Sequence, residues 1–129
     1  MSRKIISIES KGKTTHIDHI FKRLNQQEFV KYLHFFGERG AQALMMETPI
    51  YTGLAATSWD YFIEQEPGRI TLTWTNSDIE NGIPVVILIQ YGHATKNGGY
   101  VQPYDFINPV TREIFDEIAD TIWKEVTRK

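Results

Sequence analysis

Apolar residues recur at three- and four-residue intervals over two long stretches of the chain, and each stretch predicts an amphipathic helix. The first stretch follows Asn25, which has capping-box spacing with Glu28. It ends at Thr48-Pro49, because proline disfavours helical geometry in the residue before it. Gly37 and Gly40 each weaken a helix interior, so we expect another element to lie close against this face. The residues that recur at this spacing are Phe29, Leu33, Phe36, Gly40, Ala43 or Leu44, and Glu47, so one stripe is mostly apolar.

The second stretch begins at Asn108-Pro109, a pair typical of an N-cap residue followed by proline at the first helical position. Residues at four-residue spacing then place one side of this helix against the core. The stripe and its flanking residues are Ile114, Ile118, Ile122 and Val126, with Phe115, Ala119 and Trp123 beside them.

Between these helices the apolar period changes to two, which is typical of β-strands. Thr57–Gln65 alternates, and Arg69–Thr75 alternates strictly, with threonines opposite the apolar face. Pro67-Gly68 lies between them and favours a tight turn, so we predict an antiparallel hairpin. A further short strand is predicted over Lys4–Glu9. The apolar positions of the three strands are Ile6 and Ile8, then Trp59, Tyr61 and Ile63, then Ile70, Leu72 and Trp74.

The remaining segments give weaker signals. Lys11–Thr15 is predicted as a polar turn and Asp18–Leu24 as a helical turn. Asn76–Pro84 is interpreted as a polar loop. Val85–Ile89 is a continuous apolar run that fits either a buried strand or a short buried helix. Gly92–Tyr104 is expected to be a loop with too few apolar residues to pack on itself.

The order of these elements predicts an α+β fold in which two main helices pack on a small antiparallel sheet with a central hairpin. With 129 residues the chain is expected to form a single domain over 1–129. We divide it into an N-terminal strand and turn (1–24) and a body (25–127).

Composition narrows the class of protein. The chain is 41% hydrophobic and 23% charged, values typical of a folded globular protein. It contains no cysteine, which excludes disulfides, thiolate zinc sites and a cysteine nucleophile. Its apolar runs fall short of the ~20 residues of a membrane span, and its N-terminal apolar stretch is too short for a signal peptide. We therefore expect an intracellular protein with no membrane partner.

Charge is unevenly distributed along the chain. The formal net charge is -2, so the basic excess usual in proteins that hold nucleic acid is missing. Residues 1–31 hold seven Lys/Arg against three Asp/Glu, whereas residues 32–129 hold seven against thirteen. Two interpretations remain open: two solvated faces, or a bipolar molecule whose basic end meets the acidic end of a neighbour.

Two histidine-containing groups are candidates for chemistry. His16, Asp18 and His19 are residue types that bind divalent metals, but their spacing fits no known ligand pattern, and a solvated turn is the alternative. His93 would need a nucleophile to activate or a carboxylate to orient it. The chain offers no local sequence frame for the candidate partners, which are Ser58, Glu64 and Asp105.

Nucleotide and base recognition are also weakly supported. The sequence lacks the glycine-rich phosphate-binding motifs, and Gly98-Gly99 beside Lys96 is more typical of a mobile loop than of a phosphate site. Four aromatic residues of the predicted hairpin would stack on bases if they were exposed, although core packing is the alternative use. These are Trp59, Tyr61, Phe62 and Trp74.

Two segments resemble a known family. Residues 48–59 read T-P-I-Y-T-G-L-A-A-T-S-W, similar to the T-P-V-D-T-G-x-L-x-x-S motif of small tail-completion and neck (head–tail joining) proteins of long-tailed bacteriophages. Residues 83–101 read I-P-V-V-I-L-I-Q-Y-G-H-A-T-K-N-G-G-Y-V, similar to that family's V-P-Y-A-x-Y-V-E-Y-G-H-x-T-x-N-G-G-F-V. The resemblance extends over roughly residues 25–127. The chain keeps the glycine and proline residues of both motifs. It differs from the motif residues at Tyr51, Ala55, Val85-Val86 and Gln90.

The resemblance implies a non-enzymatic structural protein of a phage or prophage virion. Such a protein assembles as a homo-oligomeric ring at the head–tail joint or tail end, contacts head-connector and tail-tube proteins, and lets DNA pass without specific binding. Neither a cofactor nor a metal is implied, and the protein would be assembled in the host cytoplasm. The residues implied in assembly are Thr52, Gly53, Trp59, Tyr91, Gly92, His93, Asn97, Gly98, Gly99 and Tyr100.

Further expectations follow from the same analogy. The hairpin and the Gly92–Tyr104 loop would be assembly surfaces that order on contact with neighbouring subunits. Acidic residues facing the lumen would keep DNA from sticking, and the candidates are Asp60, Glu64, Asp78 and Glu80. One alternative is another ring of the same particle, such as a head-closure or tail-terminator ring. The other is a small hydrolase that uses a metal or His93.

Overall fold

The computed structural model describes residues 3–11, 26–49, 53–67 and 69–127, and these form an α+β fold. Its four helices within those ranges are α1 (Gln26–Glu47), α2 (Leu54–Thr57), α3 (Val85–Tyr91) and α4 (Ile107–Thr127). The strands are β1 (Arg3–Lys11), β2 (Trp59–Glu66), β3 (Arg69–Asn76), β4 (Ile79–Glu80), β5 (Ile83–Pro84), β6 (His93–Ala94) and β7 (Tyr100–Val101).

The main sheet has the strand order β1-β3-β2, and both pairings are antiparallel. Glu66 pairs with Arg69, so Pro67-Gly68 joins β2 to β3 and the predicted hairpin is confirmed. Most strand ends differ from the prediction by one or two residues. Thr57 belongs to α2, where its Oγ1 donates to the carbonyl of Gly53 at 3.0 Å, and Lys11 belongs to β1, where it pairs with Arg69.

Both faces of β3 are buried, although the alternating pattern predicted only one. Ile70, Leu72 and Trp74 enter the core as expected, and the threonines of the opposite face are buried too. β3 is the central strand, so side chains of both neighbouring strands flank them. Thr73 lies between Ser7 and Phe62, and its Oγ1 is 3.0 Å from Ser7 Oγ.

The glycines of α1 permit the close packing that their positions predicted. A Cβ atom on Gly40 would lie 2.6 Å from Cζ2 of Trp74, and one on Gly37 would overlap the ring of Tyr61. The Gly37 carbonyl also accepts a hydrogen bond of 2.9 Å from Trp74 Nε1. The expectation that another element lies against this face is therefore confirmed, and that element is the β2–β3 hairpin.

α1 and α4 pack beside each other over the sheet. Ile114 and Ile118 are buried, and Ile122 contacts the cluster formed by Phe29, Leu33 and Ile70. Arg39 of α1 makes two hydrogen bonds, of 2.7 and 2.6 Å, to the carboxylate of Glu117 on α4. Phe115 and Trp123 lie at the edge of the predicted stripe and are exposed.

The start of α4 differs from the prediction, because Asn108 is inside the helix and does not cap it. The Asn108 N–H donates to Asp105 Oδ1 at 3.4 Å, and the amides of Phe106 and Ile107 donate to Gln90 Oε1 at 3.2 and 3.0 Å. Asp105 is a local acceptor three residues before Asn108, whereas Gln90 is a distant acceptor that leaves no local sequence signal. The Asn-Pro pair therefore predicted a start that is too late in the sequence.

The ambiguous segments acquire definite structure. Val85–Ile89 is helical and forms most of α3. Asn76–Pro84 contains the β4–β5 hairpin, whose turn residues Asn81 and Gly82 have φ of 52° and 80°, as a type I′ turn requires. The predicted Asp18–Leu24 turn, the capping residue Asn25 and the rest of the Lys11–Thr15 turn lie outside the described residues.

Candidate assembly surface

The two segments that carry the family resemblance meet at one cleft of about 300 Å³. Pro49, Gly53 and Ala55 come from the first segment, whereas the second contributes α3 and the β6–β7 hairpin. The β4 region supplies two carboxylates. The lining residues are Pro49, Gly53, Ala55, Asp78, Glu80, Val85, Leu88, Ile89, His93 and Val101.

The first segment is fixed at both ends by hydrogen bonds of side chains. Thr48 is buried at the end of α1, where its Oγ1 donates to the Leu44 carbonyl and accepts a hydrogen bond of 2.9 Å from Trp59 Nε1. Trp59 is half-buried against the core, so it positions the segment from inside. Gly53 has φ +81°, and this left-handed conformation favours glycine there. Thr52 lies outside the described residues.

Asn76 connects the first segment to the β4 region, a role that no sequence pattern indicated. Its side chain is fully buried, and Nδ2 donates to the Ala55 carbonyl at 2.9 Å. Oδ1 accepts the amide of Asp78 at 2.9 Å. One side chain therefore places both Ala55 and Asp78 in the cleft wall. Asp78 is itself buried, so the expectation that it faces a lumen is wrong.

Gly92 lies where α3 meets the β6–β7 hairpin, and both its conformation and its surroundings exclude larger residues. Its φ is +76°, and a Cβ atom there would lie 2.7 Å from the carbonyl oxygen of Val101 and 2.8 Å from the hydroxyl of Tyr100. The ring of His93 is half-buried, with Nδ1 3.3 Å from the Leu88 carbonyl. The Y-G-H segment thus holds the hairpin against α3.

The β6–β7 hairpin is stabilised by hydrogen bonds, so Gly92–Tyr104 is not a loop throughout, as was expected. Thr95 N–H donates to the Gly99 carbonyl at 2.9 Å, and Gly99 N–H donates to Thr95 Oγ1 at 3.0 Å. Gly98 occupies the left-handed region with φ +79°, and Asn97 precedes it at the exposed tip. Polar and glycine contacts replace the apolar packing that the segment lacks.

Two tyrosines, one before the hairpin and one within it, are exposed. Tyr91 at the end of α3 is 68% exposed, and Tyr100 on β7 is 58% exposed. Leu54 and Ile83 are also exposed, and each lies within two residues in sequence of a residue that lines the cleft. Tyrosine is enriched at protein interfaces because it combines a large apolar ring with a polar tip. The exposed side chains near the cleft in sequence thus include residue types that are common at contact surfaces.

Gln90, which departs from the family's glutamate, matches its surroundings in detail. It is buried, and Nε2 donates to Asp105 Oδ1 at 2.6 Å while Oε1 accepts the two amides at the start of α4. The amide hydrogen bond from Gln90 lowers the pKa of Asp105, against the smaller opposing effect of desolvation. An ionised glutamate could not donate to Asp105. The presence of glutamine at position 90, where the similar motif has glutamate, is therefore explained by the carboxylate of Asp105 beside it.

The candidates for catalysis are not assembled into a reactive group. The His93 contact described above is to a carbonyl, Ser58 Oγ donates to the Leu54 carbonyl, and Asp105 is engaged by Gln90. Among the described residues no group of three or more His, Asp or Glu side chains is placed to hold a metal. His16, Asp18 and His19 lie outside those residues.

Three of the four aromatic residues proposed for base stacking pack in the core. Trp74 is 1% exposed, and Trp59 and Tyr61 pack against the same cluster. Phe62 lies on the outer face of the sheet, where the Lys4 ammonium is 5.6 Å from its ring centre.

Comparisons with known proteins add no relative. No protein-family model, curated protein or solved structure matches this chain. The resemblance carried by the two segments therefore stays a prediction. Within the part of the chain that the structure describes, no helix has the length and apolar character to cross a membrane.

Proposed function

We propose that this protein is a structural subunit of a phage or prophage virion, which assembles as a ring at the head–tail joint or the tail end. The observation that supports this most is the convergence of the two segments that resemble the family. Residues 48–59 and 83–101 are far apart in sequence, yet both border the same cleft. Two segments that share an assembly role are expected to form one surface of the fold.

The proposed mechanism is assembly through this surface. The exposed side chains of Tyr91 and Tyr100 would contact a head-connector or tail-tube protein, and the cleft beside them would receive an apolar side chain of that partner. Gly53 and Gly92 hold the backbone turns that bring the two segments together. In this account the protein supplies shape and contacts, without a cofactor or a chemical step.

The acidic body suits the passage of DNA. Residues 32–129 carry the acidic excess described above, and Glu64 and Glu80 are exposed within it. Carboxylates repel phosphates, so a lumen lined by them would not retain DNA. A head-closure or tail-terminator ring would use the same properties, and the identity of the bound partner distinguishes these stations.

The proposal is tested by native mass spectrometry of the protein alone and mixed with the tail-tube or head-connector protein encoded in the same genome. We expect a complex with one of them that Tyr91→Ala and Tyr100→Ala weaken. Phe115→Ala is the matched control, since this aromatic side chain is 51% exposed on α4, away from the cleft. A complex that the tyrosine variants and the control affect equally would contradict the proposed surface. No complex with either partner would contradict the proposed function.

A further inference from the structure

The main sheet ends in two strands of opposite charge. Within the described residues β1 and β2 each pair with β3 on one side only, so each forms an edge of this sheet. β1 carries Arg3, Lys4 and Lys11 against Glu9, whereas the charged residues of β2 are all acidic. These acidic residues are Asp60, Glu64 and Glu66. Unpaired edges invite pairing with another chain, and the charge on each edge selects the partner.

Like-with-like pairing of these edges is unfavourable. A two-fold dimer through β1 would bring basic strands together, and one through β2 would oppose two acidic strands. Pairing β1 of one copy with β2 of another instead opposes unlike charges. Such a contact uses different surfaces on the two copies, and it closes into a ring when the rotation between the copies permits.

The direction of the strands agrees with this contact. Both β1 and β2 run antiparallel to β3, so they run parallel to each other. Neighbouring copies in similar orientation would therefore join through a parallel pair. Lys4 and Asp60 both pair with Thr75 of β3, and Lys11 and Glu66 both pair with Arg69. When Lys4 is set opposite Asp60 of the next copy, Lys11 therefore lies opposite Glu66 of that copy, and both ends of the pair match in charge.

Each edge also has a feature that limits indiscriminate pairing. A register shift between Lys4 and Ile6 interrupts β1. On β2 the Tyr61 N–H donates to Asp60 Oδ1 at 2.8 Å, which occupies an amide that the ladder with β3 does not use. Asp60 is exposed, so a lysine of a neighbouring copy can draw its carboxylate away and release this amide. Complementary charge is thus the condition for pairing.

We propose that copies of this chain associate through β1 of one copy and β2 of the next, which joins their sheets into one continuous sheet. The inference rests on the proposed ring function, which requires contacts of this head-to-tail kind. Within one chain Lys4 and Glu64 lie 3.7 Å apart and are both well exposed, and exposed ion pairs of this kind are weak. Replacing the Lys4–Glu64 ion pair by an ion pair with the next copy therefore costs little free energy.

The test is sedimentation velocity over a concentration series at low and high salt. We expect the wild-type protein to associate, and salt to weaken the association. Lys4→Glu with Lys11→Glu should weaken it at least about tenfold, as should Asp60→Lys with Glu66→Lys. All four substitutions in one chain restore unlike edges, so association should return.

The matched control for Lys4→Glu with Lys11→Glu is Lys31→Glu with Arg112→Glu. It changes the net charge by the same amount, at exposed positions of α1 and α4. It should associate as the wild type does, and circular dichroism verifies that every variant is folded. The proposal is wrong if the wild type stays monomeric, if edge variants associate normally, or if the folded fourfold variant fails to recover. Rings indifferent to edge charge would refute this contact while leaving the proposed function intact.

Discussion

Replacing Gly40 by alanine tests the central packing contact of the fold. The added Cβ atom would lie 2.6 Å from Cζ2 of Trp74, a side chain that is 1% exposed and so has little room to move. Overpacking of this kind costs ~1–3 kcal/mol. Displacing the ring would also weaken the hydrogen bond from Trp74 Nε1 to the Gly37 carbonyl, worth about 1 kcal/mol.

Helix propensity acts in the opposite direction. Alanine is favoured over glycine by up to ~1 kcal/mol in a helix interior. The free energy of unfolding of Gly40→Ala should therefore fall by about 1–3 kcal/mol after this gain is subtracted. Gly37→Ala should cost less, because the ring of Tyr61 that it meets is only half-buried and can shift outward.

The assay is urea unfolding followed by far-ultraviolet circular dichroism. The matched control compares Gln42→Ala with Gln42→Gly, since Gln42 is exposed on the same helix and the difference between these variants reports propensity alone. The alanine variant should be the more stable of the two by up to ~1 kcal/mol. A gain of about this size for Gly40→Ala would show that α1 does not approach Trp74 as described, and would refute the reasoning.

Three further perturbations follow from the same structure. Gln90→Glu removes the donor to Asp105 and opposes two carboxylates, so the unfolding free energy should fall most at neutral pH; a loss independent of pH would contradict this. In this variant the two neighbouring carboxylates bind a proton more tightly in the folded state than in the unfolded state. Protonation as the pH falls removes their repulsion, so the stability lost at neutral pH returns. Gly92→Ala should disorder the β6–β7 hairpin, seen as faster amide exchange at Thr95 with α1 unchanged; unchanged exchange at Thr95 would count against it. Arg39→Gln should reduce stability modestly at low salt and less at high salt, and a salt-independent loss would exclude its ion pair with Glu117 as the cause.

The wild-type protein has its own expected pH response at Asp105. Its pKa is lowered in the folded state by the hydrogen bond from Gln90. A lowered pKa contributes stability at neutral pH, and this contribution is lost as pH falls through the folded-state value. Comparing acid unfolding of the wild type with Asp105→Asn isolates the effect, because the asparagine cannot titrate. Identical pH dependence of the two proteins would be the contrary result.

Much of the fold could be predicted because its determinants are local. Periods of 3.6 and 2 identified α1, α4 and the β2–β3 hairpin, and Gly37 and Gly40 indicated close packing against α1. Val85–Ile89 could not be assigned, since a continuous apolar run has no periodicity to read. The β4–β5 hairpin was missed even though Asn81-Gly82 is a strong turn signal, because strands of two residues show no alternation.

Less of the candidate surface could be predicted from the sequence. Its glycines were identifiable from the resemblance, and Gly92 is required by both its φ and the close approach of Val101. The hydrogen bonds of Asn76 to Ala55 and of Gln90 to the start of α4 join residues 15 to 21 positions apart, and no spacing rule connects them. Gln90 was noticed only as a departure, and its meaning emerged when the structure placed Asp105 beside it.

The most direct test of the central claim is the position of this protein in a virion. Particles produced from the genome that encodes the chain would be labelled with gold-conjugated antibodies against it and viewed by electron microscopy. The account predicts one label site per particle, at the head–tail joint or the tail end. Label absent from purified particles, or spread along the capsid or tail tube, would contradict it.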